Sequence, residues 1–162
     1  LPAAAHEGVL RGCYVLDSCQ RLLDKPESPI SCEKHVTLLS SGAILTAAAR
    51  AAALLAAEGI AATVVSVTSW SELARDGMAC EQGGGTPWIA RVLAGTHGPI
   101  VAATDYVRAV PESVRAYLPE GRRYRTLGTD GFGRSDTRAA LRGFFGVDAA
   151  RIAQAAREAL AS

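Results

Sequence analysis

The sequence predicts an α/β fold: a three-layer α/β/α sandwich built on a mostly parallel sheet. Three observations lead there. Short apolar runs at residues 36–39, 62–67 and 99–103 lack clean alternation of polar and apolar positions, as strands covered on both faces do. Stretches of helical composition separate these runs. Each run ends in small, hydroxyl-bearing or acidic residues that open turns and cap helices.

Taken in order, residues 12–16 read as a short edge strand, and Pro26 and Pro29 make residues 24–29 a loop because proline fixes φ and lacks an amide donor. His35 opens the first buried strand, which ends at Ser40, Ser41 and Gly42. Residues 43–57 are alanine-rich and predict a helix; Thr46 and Arg50, four apart, leave it only a narrow polar stripe. Glu58-Gly59 stops it. The β-branched run at 62–67 is a strand. Ser69 and Glu72 form a capping box for a helix reaching about Cys80. Gly83, Gly84 and Gly85 break the chain, and Pro87 suits the first turn of a helix ending near Leu93. Residues 99–103 are a third buried strand, 106–117 a proline-interrupted helical stretch, and 124–127 a fourth strand. The next loop carries Gly128, Gly131 and Gly133, where φ above zero is permitted. Ser135 or Asp136 is expected to cap a helix over 137–145, and Asp148 a last helix over 149–161. Residues 1–34 form a lead-in segment, and 35–162 the domain proper.

Composition narrows the function classes. The 162 residues are 49% apolar and 20% charged with a net charge of +1, as in a soluble globular domain. No basic block points to nucleic acid, and residues 43–57 are too short to span a bilayer. The cysteines Cys13, Cys19, Cys32 and Cys80 include no C-x-x-C pair, so free thiols in a reducing, cytoplasmic setting are expected and a zinc site is not. No targeting segment is visible, and the chain opens at Leu1 rather than Met, as expected of a cut-down piece.

In a sheet of this kind ligands lie beyond the carboxyl ends of the strands. Those ends carry Ser40, Ser41, Thr68, Ser69, Thr104, Asp105, Thr129 and Asp130. Two readings stand: a real or vestigial ligand site centred on Ser40, Ser41, Thr68 and Asp105, or ordinary helix caps. Histidines 6, 35 and 97 show no pairing with a nucleophile. In the segment DGFGRSD at 130–136, either Phe132 packs under the sheet with Arg134 paired to Asp130 or Asp136, or Phe132, Arg134, Asp130 and Asp136 make a subunit interface. Trp70 and Trp88 read as core before interface.

Three segments carry a family resemblance: SVTSWSELARDG at 66–77, AATDY at 102–106, and LGTDGFGRSDTR at 127–138 continuing into LRGFFGVD at 141–148. They resemble the C-terminal domain of the homodimeric first (decarboxylating) component of pyruvate dehydrogenase and, more broadly, a transketolase C-terminal domain. EGVLRG at 7–12 looks like the chain entering that domain. The resemblance implies an enzyme that uses thiamine diphosphate and Mg²⁺, decarboxylates pyruvate and passes the two-carbon unit to a lipoyl group on an acetyltransferase component. It also implies that the cofactor is held by preceding domains of two subunits, and that this domain supports the dimer and is inactive alone. The family's diphosphate motif requires an asparagine as a Mg²⁺ ligand, and this chain has none, so no catalytic, cofactor or metal residue carries over. Residues 80–87 look shortened against the family and 24–32 look inserted, which leaves the identity of the 2-oxoacid open.

Overall fold

In the computed structural model, residues 3–16 and 34–161 are described. The loop expected at 24–29, the insertion at 24–32, and Cys19 and Cys32 lie outside them. A five-stranded sheet has the order β1-β3-β2-β4-β5, with β1 Cys13–Val15, β2 Lys34–Ser41, β3 Ile60–Val67, β4 Ile100–Ala103 and β5 Tyr124–Leu127. β1 runs antiparallel to β3 at the edge; every other pair is parallel. The expected three-layer α/β sandwich with a mostly parallel sheet is what the chain forms.

Strand alternation divides the core into two layers. Val36 and Leu38 of β2, Val64 of β3, and Val101 and Ala103 of β4 meet α2 (Leu45–Ala56) and α7 (Ala149–Ala161) on one face. Leu39, Val65, Val67, Ile100 and Ala102 meet α3 (Trp70–Gly83) and α4 (Trp88–Leu93) on the other. Trp70 is buried in this second layer, and Trp88 packs half-buried against it with its indole N–H donating to the Cys13 carbonyl at 2.9 Å; both tryptophans are core. The first layer is built largely from methyl groups: Ala47, Ala48, Ala51 and Ala52 of α2, and Ala153, Ala155, Ala156 and Ala159 of α7, are all buried. Small residues let both helices lie on the same sheet face.

Local signals explain most boundaries. A 3₁₀ turn, Gly42–Ile44, leads into α2, and Gly59 at φ 74° ends the turn that follows it. Ser69 Oγ accepts the Glu72 amide at 3.1 Å, while the Glu72 carboxylate turns to Arg75, so only one arm of the capping box forms. Asp76 supplies the cap that α4 lacks in its own sequence, accepting the Trp88 amide.

Several expectations need correction. Helix α1, Ala3–Leu10, arises in a segment that carries no start or stop signal. The α6 helix spans Arg138–Phe145 and is capped by Thr137, not by Ser135 or Asp136: Thr137 is extended, and its hydroxyl accepts the Ala140 amide at 3.3 Å. Asp136 instead accepts the Thr137 amide. The stretch at 106–117 holds only a short helix α5, Ala109–Glu112, and a 3₁₀ turn, Arg115–Tyr117. Of the three loop glycines only Gly131 has positive φ, at 93°. Gly128 answers a close approach, because a Cβ there would stand 2.6 Å from the Tyr106 carbonyl oxygen.

Gly59 and Gly98 share φ 74°, yet a Cβ at Gly59 meets open space and one at Gly98 would fall 1.7 Å from the His35 carbonyl oxygen. Both alanine substitutions carry a left-handed cost of about 1 kcal/mol. Urea unfolding of Gly98→Ala should show at least about 2 kcal/mol more destabilisation than Gly59→Ala, the usual scale of overpacking; equal costs would contradict this turn geometry.

Candidate functional site at the carboxyl ends of the strands

The expected ring of strand-end residues is assembled only in part. Ser40 and Ser41 end β2, where both are buried, and Thr104 follows β4 directly. Ser40 Oγ donates to the Ala103 carbonyl at 3.0 Å, and Ser41 Oγ lies 2.8 Å from Thr104 Oγ1. Thr104 Oγ1 also accepts the Tyr106 amide at 3.2 Å. These hydroxyls are spent on holding strand ends together. Thr68 sits one strand farther out and donates to the Val9 carbonyl at 2.9 Å, toward α1 rather than toward Ser40 and Ser41. Asp105 is exposed, with its carboxylate oxygens 3.6 and 3.8 Å from where a Cβ on Gly42 would be. The structure thus brings Ser40, Ser41 and Asp105 to the junction of β2 and β4 and leaves Thr68 apart.

The loops after β4 and β5 are zipped side by side. Thr129 N–H donates to the Tyr106 carbonyl and Thr129 Oγ1 to the Asp105 carbonyl. Asp130 accepts the Arg108 amide at 2.8 Å and also binds the Arg108 guanidinium. Its partner is therefore Arg108, not Arg134. Arg134 instead stacks over the Phe144 ring, 4.2 Å from the centroid. Phe132 does not pack beneath the sheet; it is 98% exposed. Of the two readings of this loop, the packed one is overturned.

Sequence reading missed the arginines around this junction. Arg138 and Arg142 of α6 share a cavity of about 440 Å³ with Arg134, Ala43 and Asp105. The spacing of four at 138 and 142 is visible in the sequence and places both on one side of a helix, while Arg134 comes from the loop before it. Histidines 35 and 97 also meet, edge to face at 5.8 Å, at the opposite end of the sheet. Cys13 is a buried free thiol pushed up to about 12, chiefly by burial and then by the charge of Asp76, so it remains protonated and unreactive at neutral pH.

Among the described residues no three His, Cys, Asp or Glu side chains converge as a metal ion would need. Hard divalent cations call for several oxygen ligands, and asparagine, one of the amide donors such sites use, is absent from the chain. Among the same residues no helix is long and apolar enough to cross a membrane.

Residues 12–148 match the family model described as the transketolase-like C-terminal domain. The chain belongs to this family. As a transketolase-like C-terminal domain it is 43% identical to the pyruvate dehydrogenase E1 component of Pseudomonas aeruginosa, over 99% of this chain and 18% of that protein. The E1 component of Mycobacterium tuberculosis is 44% identical over 96% of this chain and 16% of that protein. The Escherichia coli E1 component is 42% identical over 99% and 18%. The chain therefore spans less than a fifth of the length of these curated relatives. Among solved structures, transketolase from Leishmania mexicana superposes with a TM-score of 0.59 at 22% identity, over 96% of this chain and 19% of that one, which supports the fold. A split-gene transketolase described as an inactive β4 tetramer gives 0.53 at 25% identity, over 79% and 40%. The resemblance read from residues 66–77, 102–106 and 127–148 is borne out.

The Arg108 amide first, and its guanidinium second, hold the Asp130 carboxyl below the usual range. A depressed carboxyl contributes its contact above the unfolded value of about 4 and loses it as pH falls through the lower folded value. In a carbon-detected NMR titration, Arg108→Gln should raise the Asp130 midpoint while the surviving amide bond keeps it below that of a free aspartate. An unchanged midpoint would remove the guanidinium from this account.

Proposed function

We propose that this chain is the C-terminal domain of a thiamine-diphosphate-dependent pyruvate dehydrogenase E1 polypeptide and that it serves assembly rather than chemistry. The observation that carries this reading is identity of 42–44% with E1 components across nearly the whole chain. In the complete enzyme the cofactor with Mg²⁺ supplies the decarboxylating chemistry on pyruvate, and the product unit is transferred to a lipoyl group of the acetyltransferase component. The enzyme works in the cytoplasm as a homodimer. Neither cofactor nor metal is held by this domain, a reading supported by the missing asparagine and by the lack of a converging donor set among the described residues. The isolated domain is inactive.

The exposed loop offers the assembly contact. Phe132 stands out from the surface among glycines, flanked by Arg134, Asp130 and Asp136. A large ring with charged neighbours is the composition of an interface anchor.

Calorimetric titration of the 162-residue chain with thiamine diphosphate should give no heat that depends on added Mg²⁺. A saturable, Mg²⁺-dependent site would overturn the division of labour. In the complete polypeptide, Phe132→Asp should weaken the dimer by at least about tenfold in sedimentation, roughly 1.4 kcal/mol. The same substitution should leave the melting of the isolated chain unchanged, because the side chain touches little of its own domain. Unaltered dimerisation would remove this loop from the interface.

A further inference from the structure

The strand order reverses between β2 and β4. The chain leaves β2 for β3 on one side and then crosses back to β4 on the other. Loops after such a pair diverge and leave a crevice, the usual ligand position of open parallel sheets. Here the crevice is the 440 Å³ cavity bounded by Ala43 after β2, Asp105 after β4, and Arg134, Arg138 and Arg142 from the α6 side, with Phe145 among its apolar walls. The geometry points to a binding site for a small phosphate- or carboxylate-bearing metabolite, held by the three guanidinium groups. This site is independent of thiamine diphosphate, and it shares Arg134 with the loop proposed above as the assembly contact.

The cavity gathers three guanidinium groups. Several arginines elsewhere are neutralised, Arg108 by Asp130, Arg115 by Glu112, Arg125 by Glu158 and Arg157 by Glu58. Among the described residues, none of Arg134, Arg138 and Arg142 forms an ion pair. Two of them are held by neutral partners, which fix position without cancelling charge. Arg142 donates to the Ala43 carbonyl at 3.2 Å, and Arg134 lies on the Phe144 ring. Arg138 has no hydrogen bond or ion pair among the described residues and is free to close over a ligand. Guanidinium groups bind phosphate and carboxylate oxygens in a two-point fork, so partial pre-positioning favours such anions over chloride.

Asp105 sets the second requirement. Its carboxylate lines the same cavity and accepts no hydrogen bond among the described residues. A donor-free anion is repelled by it. Inorganic phosphate carries its P–OH on the same group that the guanidiniums grip, whereas an anion with a separate hydroxyl can donate to Asp105 while its charged end stays in the fork, so the site favours hydroxylated phosphates or hydroxy acids over inorganic ions.

The test titrates the 162-residue chain, without Mg²⁺ and at ionic strength held constant with sodium chloride, against inorganic phosphate and against glycerol 3-phosphate, following amide NMR shifts. Saturable shifts centred on residues 43, 105 and 134–142 are expected, with glycerol 3-phosphate the tighter ligand by at least about threefold, the value of one modest hydrogen bond. The double variant Arg134→Gln/Arg138→Gln should bind at least about tenfold more weakly. Arg91→Gln, on a remote face, should bind as the parent does. Asp105→Asn should act in the opposite direction, tightening inorganic phosphate by about two- to fivefold through removal of a like charge and narrowing the preference for glycerol 3-phosphate, because a neutral amide oxygen accepts the hydroxyl more weakly than a carboxylate does. Arg134 and Arg138 are exposed, so unchanged melting temperatures certify the fold, and the gain in Asp105→Asn cannot come from unfolding. The proposal is overturned by a response that fails to saturate by about 20 mM, a scale already weaker than millimolar affinity. Equal weakening in Arg91→Gln, or parent-like binding by the double variant, overturns it as well.

Discussion

The pairing of β2 with β4 is the contact on which the rest of the domain depends. Both strands are covered on both faces, yet β2 carries Thr37, Ser40 and Ser41 into the interior. A buried hydroxyl left without a partner costs about 1–3 kcal/mol. Each of these finds one through β4 or the chain beside it: Thr37 with the His97 carbonyl and Arg122, Ser40 with the Ala103 carbonyl, Ser41 with Thr104. A slip of one residue would break these bonds and turn every apolar side chain to the wrong layer. The polar residues of β2 therefore specify register, and register fixes which loops meet at the carboxyl end.

The two ends of the sheet are finished differently. At the amino end Arg122 reaches between strands and donates to the Gly98 carbonyl, Thr96 and Thr37, and burial lowers its affinity for protons. His35 and His97 close the same end with an edge-to-face contact. There the cation is consumed by backbone and hydroxyl oxygens. At the carboxyl end the arginines of α6 line a cavity without an ion pair among the described residues.

Much of this was legible in the residues themselves. The strands stand out because runs such as 62–67 and 99–103 are apolar and β-branched, and local composition alone decides them. Ser69, Gly59 and Asp148 announce helix ends by chemistry that acts within one turn. Helix α1 was not legible, because its alanines, His6 and Gly8 carry neither a cap nor a periodic apolar face and it is held by contacts with β1. At the candidate site the hydroxyl and acidic residues could be named from strand ends, but not their partners. Whether Ser41 faces a ligand or Thr104, and whether Asp130 meets Arg134 or Arg108, is settled by residues 22 to 63 positions away. The arginine spacing on α6 was in plain view; its meaning required the fold to lay that helix beside the end of β2.

The alanine layer between α2 and α7 has a mechanical consequence. Methyl groups have no rotamers, so this interface gives up almost no side-chain entropy when it forms and has no alternative packing to adopt afterwards. Two helices meeting through such surfaces cannot ratchet past one another by exchanging side-chain conformations, as larger interdigitated residues can. That half of the domain behaves as a rigid plate. Helix α6 by contrast buries no residue fully and stands on the plate's rim, where packing constrains it least.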